Sequence, residues 1–136
     1  MRPTAVDAYP RGCVDCHVAA KGANPDTRLS TLIAKWTTDV GPALLQKTKA
    51  SASDPAKIKG KHLAVPNVSA NIPQSCLGAC HKKDSTIAPS FARLIHVIHL
   101  TGERNTFLTT YQGDCTHCHK LDKATGIWKI PSGPER

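Results

Sequence analysis

The sequence predicts a single domain over residues 1–136. It should be mostly irregular, with a few α-helices and almost no β-sheet, and be organised around bound groups rather than an apolar core. Three observations lead there. Aromatic residues make up only 4% of the chain, as two Trp, two Tyr and two Phe. Nine Gly and ten Pro punctuate 136 residues, so much of the backbone is turn and loop. Six cysteines fall into three close pairs, and each pair is followed at once by histidine. A short chain with so few large side chains relies on disulfides, metals or cofactors for its stability.

The elements follow from breakers and periodicity. Residues 1–26 are interrupted by Pro3, Pro10, Gly12, Gly22 and Pro25 and read as irregular. Residues 27–47 read as helical, because Leu29, Leu32, Ile33, Trp36 and Val40 recur at helical spacing. Gly41-Pro42 interrupts that helix before Ala43, Leu44 and Leu45. Residues 48–61 are small, polar and basic and read as a solvated connection. Across 62–87, Pro66 and Pro73 discourage a long helix. Residues 88–101 form the strongest helical pattern, with Ser90 as cap and Gly102 as stop. The three Cys-His clusters are unevenly spaced, so no fixed-length repeat joins them.

Those clusters carry the chemistry. C-x-x-C-H is the attachment sequence for c-type haem: two thiols form thioethers with the vinyl groups, and the next histidine ligates the iron. Cys13, Cys16 and His17 (CVDCH) fit, as do Cys115, Cys118 and His119 (CTHCH). Cys76, Cys80 and His81 (CLGACH) have three residues between the thiols. There Gly78 would supply backbone freedom to the longer loop. The competing reading of that pair is a disulfide, free thiols or half a zinc site. A disulfide framework gives no reason for a histidine after every second cysteine. The expected cofactors are therefore three covalent haems with their irons, held by proximal His17, His81 and His119.

Each iron then needs a sixth ligand. Met1 is the only methionine and a chain terminus is a poor ligand, so His/Met coordination is disfavoured. Four histidines remain: His62, His96, His99 and His117. His96 and His99 lie about 4.5 Å apart along one helix axis and cannot flank a single iron. Each is expected to reach a different haem and so hold two haems close; the alternative is that one is an ordinary packed histidine. His62 is the third distal candidate, against a plain basic stretch (KGKH). His117, inside the third motif, is a spare: a surface or propionate-facing residue, or the substitute for His62.

The stretch RLIHVIHLTGERNTFLTTYQGDCTHCHK resembles multihaem cytochromes of metal-reducing and other anaerobically respiring bacteria. In their decahaem outer-membrane type, an H-x-x-H helix similarly precedes a Y-x-x-D-C-x-x-C-H attachment site. The matching residues here are His96, His99, Tyr111, Asp114, Cys115, Cys118 and His119. The resemblance covers about the last third of the chain. It implies a low-potential, bis-histidine haem wire with little regular secondary structure. The chain departs from it in carrying three motifs, one of them stretched. Small trihaem periplasmic carriers have a similar count but are shorter and differently spaced.

These readings bound the function. The formal charge is +8. Six haem propionates and three ferric irons would bring it to about +5 oxidised and about +2 reduced, suited to an acidic redox partner but weak support for nucleic-acid binding. No stretch is long enough to span a bilayer. Thioether attachment follows export, so a periplasmic or extracellular setting is expected. The N-terminus lacks the apolar run of an export signal, which should lie upstream; Met1 then reads as a numbering or cloning artefact. Electron transfer is the leading expectation, as a carrier or redox-complex subunit. The alternative is a subunit of an extracellular cytochrome filament, since about 45 residues per haem leave haem edges exposed. An enzyme, such as a small-molecule reductase, would need a five-coordinate iron, and four spare histidines speak against that.

Overall fold

A computed structural model describes residues 6–52, 60–78, 80–102 and 105–135. Met1 and residues 53–59 of the expected connection lie outside them. Six helices occur among the described residues: α1 (Cys13–Cys16), α2 (Leu29–Trp36), α3 (Pro42–Ser51), α4 (Gln74–Leu77), α5 (Phe91–Leu100) and α6 (Thr106–Thr109). Single 3₁₀ turns cover Val68–Ala70 and Cys115–His117. The β structure is one short antiparallel hairpin, β1 (Lys120–Asp122) with β2 (Ile127–Lys129), in the register Leu121 opposite Trp128. Mostly irregular backbone with short helices is what the glycine, proline and aromatic content anticipated.

The helix breaks follow the sequence only in part. The expected helix through Val40 needs correction: α2 stops at Trp36, and the Val40 N–H donates to the Gly60 carbonyl at 2.8 Å. Pro42 is the first residue of α3, where its missing N–H costs nothing. The expectation of a solvated connection from residue 48 needs correction. α3 continues to Ser51, which is buried and donates its hydroxyl to the Thr48 carbonyl at 2.8 Å. Two lysines and two alanines in α3 favour the helix, and packing against α5 extends it.

α5 is the spine of the molecule. Ser90 occupies the cap position, but its side chain makes no capping bond. The Phe91 N–H instead donates to the His81 carbonyl at 2.9 Å, which ties the second motif to the start of the helix. At the other end Gly102 has φ 96°, accessible at little cost only to glycine. Lys47 of α3 donates to the carbonyls of Ile98 (3.2 Å) and Thr101 (2.8 Å), placing a cation on the helix's negative terminus. Asn105 is buried and donates to the same two carbonyls at 2.8 Å each, while its Oδ1 accepts the Phe107 N–H at 3.0 Å to cap α6. Asn105→Leu keeps the volume and strands these backbone groups. A loss of about 2 kcal/mol is expected, at about 1 kcal/mol for each group not reached by water or by Lys47. Denaturant unfolding of the purified protein measures it; a change under about 0.5 kcal/mol would show that solvent replaces the asparagine.

The apolar core is very small. Among the described residues the buried hydrophobic core is Val14, Ile33, Val68 and Ile72, with Pro73 and Pro89 buried beside the second motif. α2 lies against the Val68–Ala70 turn, bringing Ile33 and Val68 into one region. Leu63, Ile87, Ile127 and Trp128 are more than half exposed. The chain ends close the structure around the motifs. Gly133 and Ile72 exchange backbone hydrogen bonds at 2.7 and 3.0 Å, Glu135 accepts from the Ser30 N–H at 2.7 Å, and Asp7 pairs with Lys120 at 2.8 Å. No described helix is long and apolar enough to cross a membrane.

Candidate haem-attachment and ligand sites

The first motif opens on Gly12, whose φ of 66° turns the chain into α1. A side chain there would sit 3.7 Å from the His117 carbonyl and 3.8 Å from the Cys118 carbonyl, so the first motif abuts the third. In the third motif Asp114 accepts the Thr116 N–H (2.8 Å) and hydroxyl (2.7 Å), capping the turn that carries Cys115. In the second, α4 delivers Cys76, and Gly78 closes the helix with its N–H on the Gln74 carbonyl at 3.0 Å. The expected role of Gly78 changes. Its backbone is an ordinary helical one, φ −87° and ψ −3°. Glycine is favoured because a Cβ would lie 3.1 Å from the Gln74 carbonyl oxygen. The constraint is a close approach, not conformational freedom.

The six cysteines form no disulfide with one another. Burial pushes the Cys13 thiol up to about 11 and raises Cys16, Cys76 and Cys118 as well. That is the reverse of the electropositive setting that makes a reactive or metal-binding thiolate. Among the described residues no three of His, Cys, Asp or Glu gather as a metal cage. Cys76 and Cys80 are not bonded to each other, and no further ligands gather beside them among the described residues to complete a zinc site.

The histidines gather in twos. His17 faces His99 with ring centroids 6.3 Å apart. His81 faces His62 at 6.2 Å. His119 faces His96 at 6.2 Å. Each motif histidine thus meets a different distal candidate, and the two histidines of α5 serve different motifs. Direct contact between the rings is absent at this separation. Two imidazoles bound on opposite sides of one metal, with bonds of about 2.0 Å, have centroids roughly 6.3 Å apart. The three gaps have the size that one coordinated iron would fill.

Four of these six rings also have Nδ1 engaged by the backbone. The Nδ1 atoms of His17, His81, His62 and His99 lie 2.8, 2.8, 2.6 and 2.9 Å from the backbone carbonyls of Thr27, Pro89, Leu63 and Ile95. A carbonyl can only accept, so Nδ1 carries the proton and the Nε2 lone pair is left for a metal. Burial lowers the pKa of His17 and of His81, which keeps both neutral as ligands must be. His99 is half-buried and His96 exposed on the same helix. The His62 N–H donates to the Trp36 carbonyl at 2.8 Å, fixing its loop to the end of α2 beside an open cleft of about 680 Å³.

His117 stands apart. Its ring lies 4.9 Å from Tyr9 and 6.2 Å from both Phe107 and Tyr111, in a half-buried aromatic cluster rather than on open surface. Sequence reading missed Thr27, Pro89, Ile95 and Leu63, because a backbone carbonyl has no side-chain signature. It also missed Asn105 and Lys47, whose roles depend on where α5 ends in space.

No protein-family profile matches this sequence, and no curated protein or solved structure matches it either.

Proposed function

We propose that the protein transfers electrons through three covalently attached, bis-histidine c-type haems. The single observation that carries this reading is the set of three pairs, His17 with His99, His81 with His62 and His119 with His96. Each pairs an attachment-motif histidine with a second imidazole at the span of one iron.

Cys13 and Cys16, Cys76 and Cys80, and Cys115 and Cys118 would hold the three groups by thioethers. Haem supplies one-electron chemistry at iron. The chain's own residues do the rest. Paired imidazoles fill both axial positions and leave none for substrate. The carbonyls of Thr27, Pro89, Leu63 and Ile95 hold the rings so that little rearrangement accompanies a change of charge. α5 keeps two sites within a few residues of each other, because His96 and His99 are one turn apart. This favours electron relay over catalysis.

The small core and exposed apolar side chains suit a carrier or a redox-complex subunit that meets an acidic partner in the periplasm or outside the cell. Polymerisation into a filament is the second arrangement. The three pairs lie within one chain, so no ligand from a neighbouring copy is called for.

The test is carbon monoxide added to the reduced, purified protein, with haem counted per chain. Three haems and no CO adduct are expected. Full CO binding at one haem would replace this reading with the small-molecule reductase, and a colourless protein would end it.

A further inference from the structure

The three histidine pairs differ in one respect that bears on how the sites divide the work. The ring planes of His62 and His81 are 24° apart, and those of His96 and His119 are 26° apart. The planes of His17 and His99 are 89° apart. Both rings of that pair are fixed. His17 Nδ1 donates to the Thr27 carbonyl at 2.8 Å, and His99 Nδ1 to the Ile95 carbonyl one turn back in α5 at 2.9 Å. Thr27 is itself clamped across the motif's exit. Its N–H donates to Val18 O at 2.9 Å, the Val18 N–H donates to its Oγ1 at 3.1 Å, and Oγ1 lies 3.2 Å from Cys16 O and 3.3 Å from Val18 O.

Ring orientation matters through π overlap. Parallel imidazoles both donate into the same iron d orbital, raise it above its partner and stabilise the ferric hole there. Perpendicular imidazoles donate into one orbital each and leave the two nearly degenerate. The ferric state then gains less, so the electron is held more tightly. Burial acts in the same direction, because a low-dielectric surrounding disfavours the extra positive charge of ferric iron. His17 and His99 are both half-buried, as are His62 and His81, whereas His96 is exposed. Burial therefore separates this site only from the His96/His119 one, and ring orientation separates it from both.

We propose that the His17/His99 site is the electron-holding member of the three, with the highest reduction potential and a distinct ferric electronic structure, and that Thr27 is the positioning residue that fixes its ligand geometry. This rests on the bis-histidine reading. An electron arriving at either of the other sites would settle at this one. The shared helix makes the His96/His119 site its nearest exchange partner.

Electron paramagnetic resonance of the oxidised holoprotein, followed through a dithionite titration at fixed potentials, tests it. One highly anisotropic low-spin signal with a large maximum g value is expected beside two rhombic ones. The anisotropic signal should vanish first as the potential is lowered, and His99→Ala should abolish that signal alone. Thr27→Val, which keeps shape and loses the hydroxyl, should shift its maximum g value, and Thr27→Ser should restore it. A purely structural threonine would lower thermal stability and leave the g value in place, which would overturn the positioning role. Three rhombic signals, or an anisotropic signal that is reduced last, would overturn the proposal while leaving bis-histidine ligation intact. High-spin signals in the unmodified protein would instead strike at the bis-histidine reading itself.

Discussion

Changing all six cysteines to alanine is expected to abolish cooperative folding. The buried core among the described residues is Val14, Ile33, Val68 and Ile72 with two prolines, drawn from short separate segments. Full burial of each Val or Ile contributes about 1.5–3 kcal/mol, while ordering one residue's backbone costs about 1–2 kcal/mol. The second helix and the fifth present apolar faces with little protein to cover them. Hydrogen bonds such as Asn105 to Ile98 and Thr101 hold short-range geometry, but they exchange with water in the unfolded chain and add little net. In the proposed reading the haems would supply the missing buried surface, and the thioethers would restrict the unfolded chain further. Far-UV circular dichroism during heating and amide proton dispersion check this. A sharp thermal transition with dispersed resonances in the cysteine-free chain would show that the side chains suffice alone.

Replacing the two histidines of the fifth helix one at a time is expected to open two different haems. His99→Ala should leave the His17 site five-coordinate, and His96→Ala should do the same to the His119 site. Each reduced variant should bind carbon monoxide at one haem in three, and the double variant at two, where the unmodified protein binds none. Each opened site should also lose the second imidazole that favours ferric iron, and its potential should rise. If the two variants opened the same haem, the fifth helix would not bracket two sites. If neither opened any, other side chains would be completing the coordination.

The comparison between sequence and structure turns on particular residues. The three Cys-Cys-His clusters were legible because their residues lie close together along the chain. The fifth helix was legible because apolar residues recur at its period and Gly102 follows it, and the structure ends that helix at Leu100. Ser90 illustrates the limit. Its type and position are those of a cap, yet the helix start is satisfied by the His81 carbonyl, a group brought there by the fold. Gly78 illustrates another: the residue was noted, but its reason, contact with the Gln74 carbonyl, needed coordinates. The hairpin over Lys120–Asp122 and Ile127–Lys129 is three residues per strand, too short for alternation to register.

The sequence by itself determined the inventory: three cysteine pairs each followed by a histidine, four further histidines, and too little apolar mass to fold around. These are properties of residue type and local spacing. Tertiary structure alone decided the pairing. Which spare imidazole faces which motif depends on contacts between residues up to 82 positions apart, His17 with His99 among them, and no local pattern encodes a contact at that distance. It also decided that His117 enters an aromatic cluster, that α3 and Asn105 hold the end of α5, and that one ligand pair is perpendicular while two are nearly parallel. Those outcomes come from backbone carbonyls and close packing, which any sequence supplies and only the fold arranges.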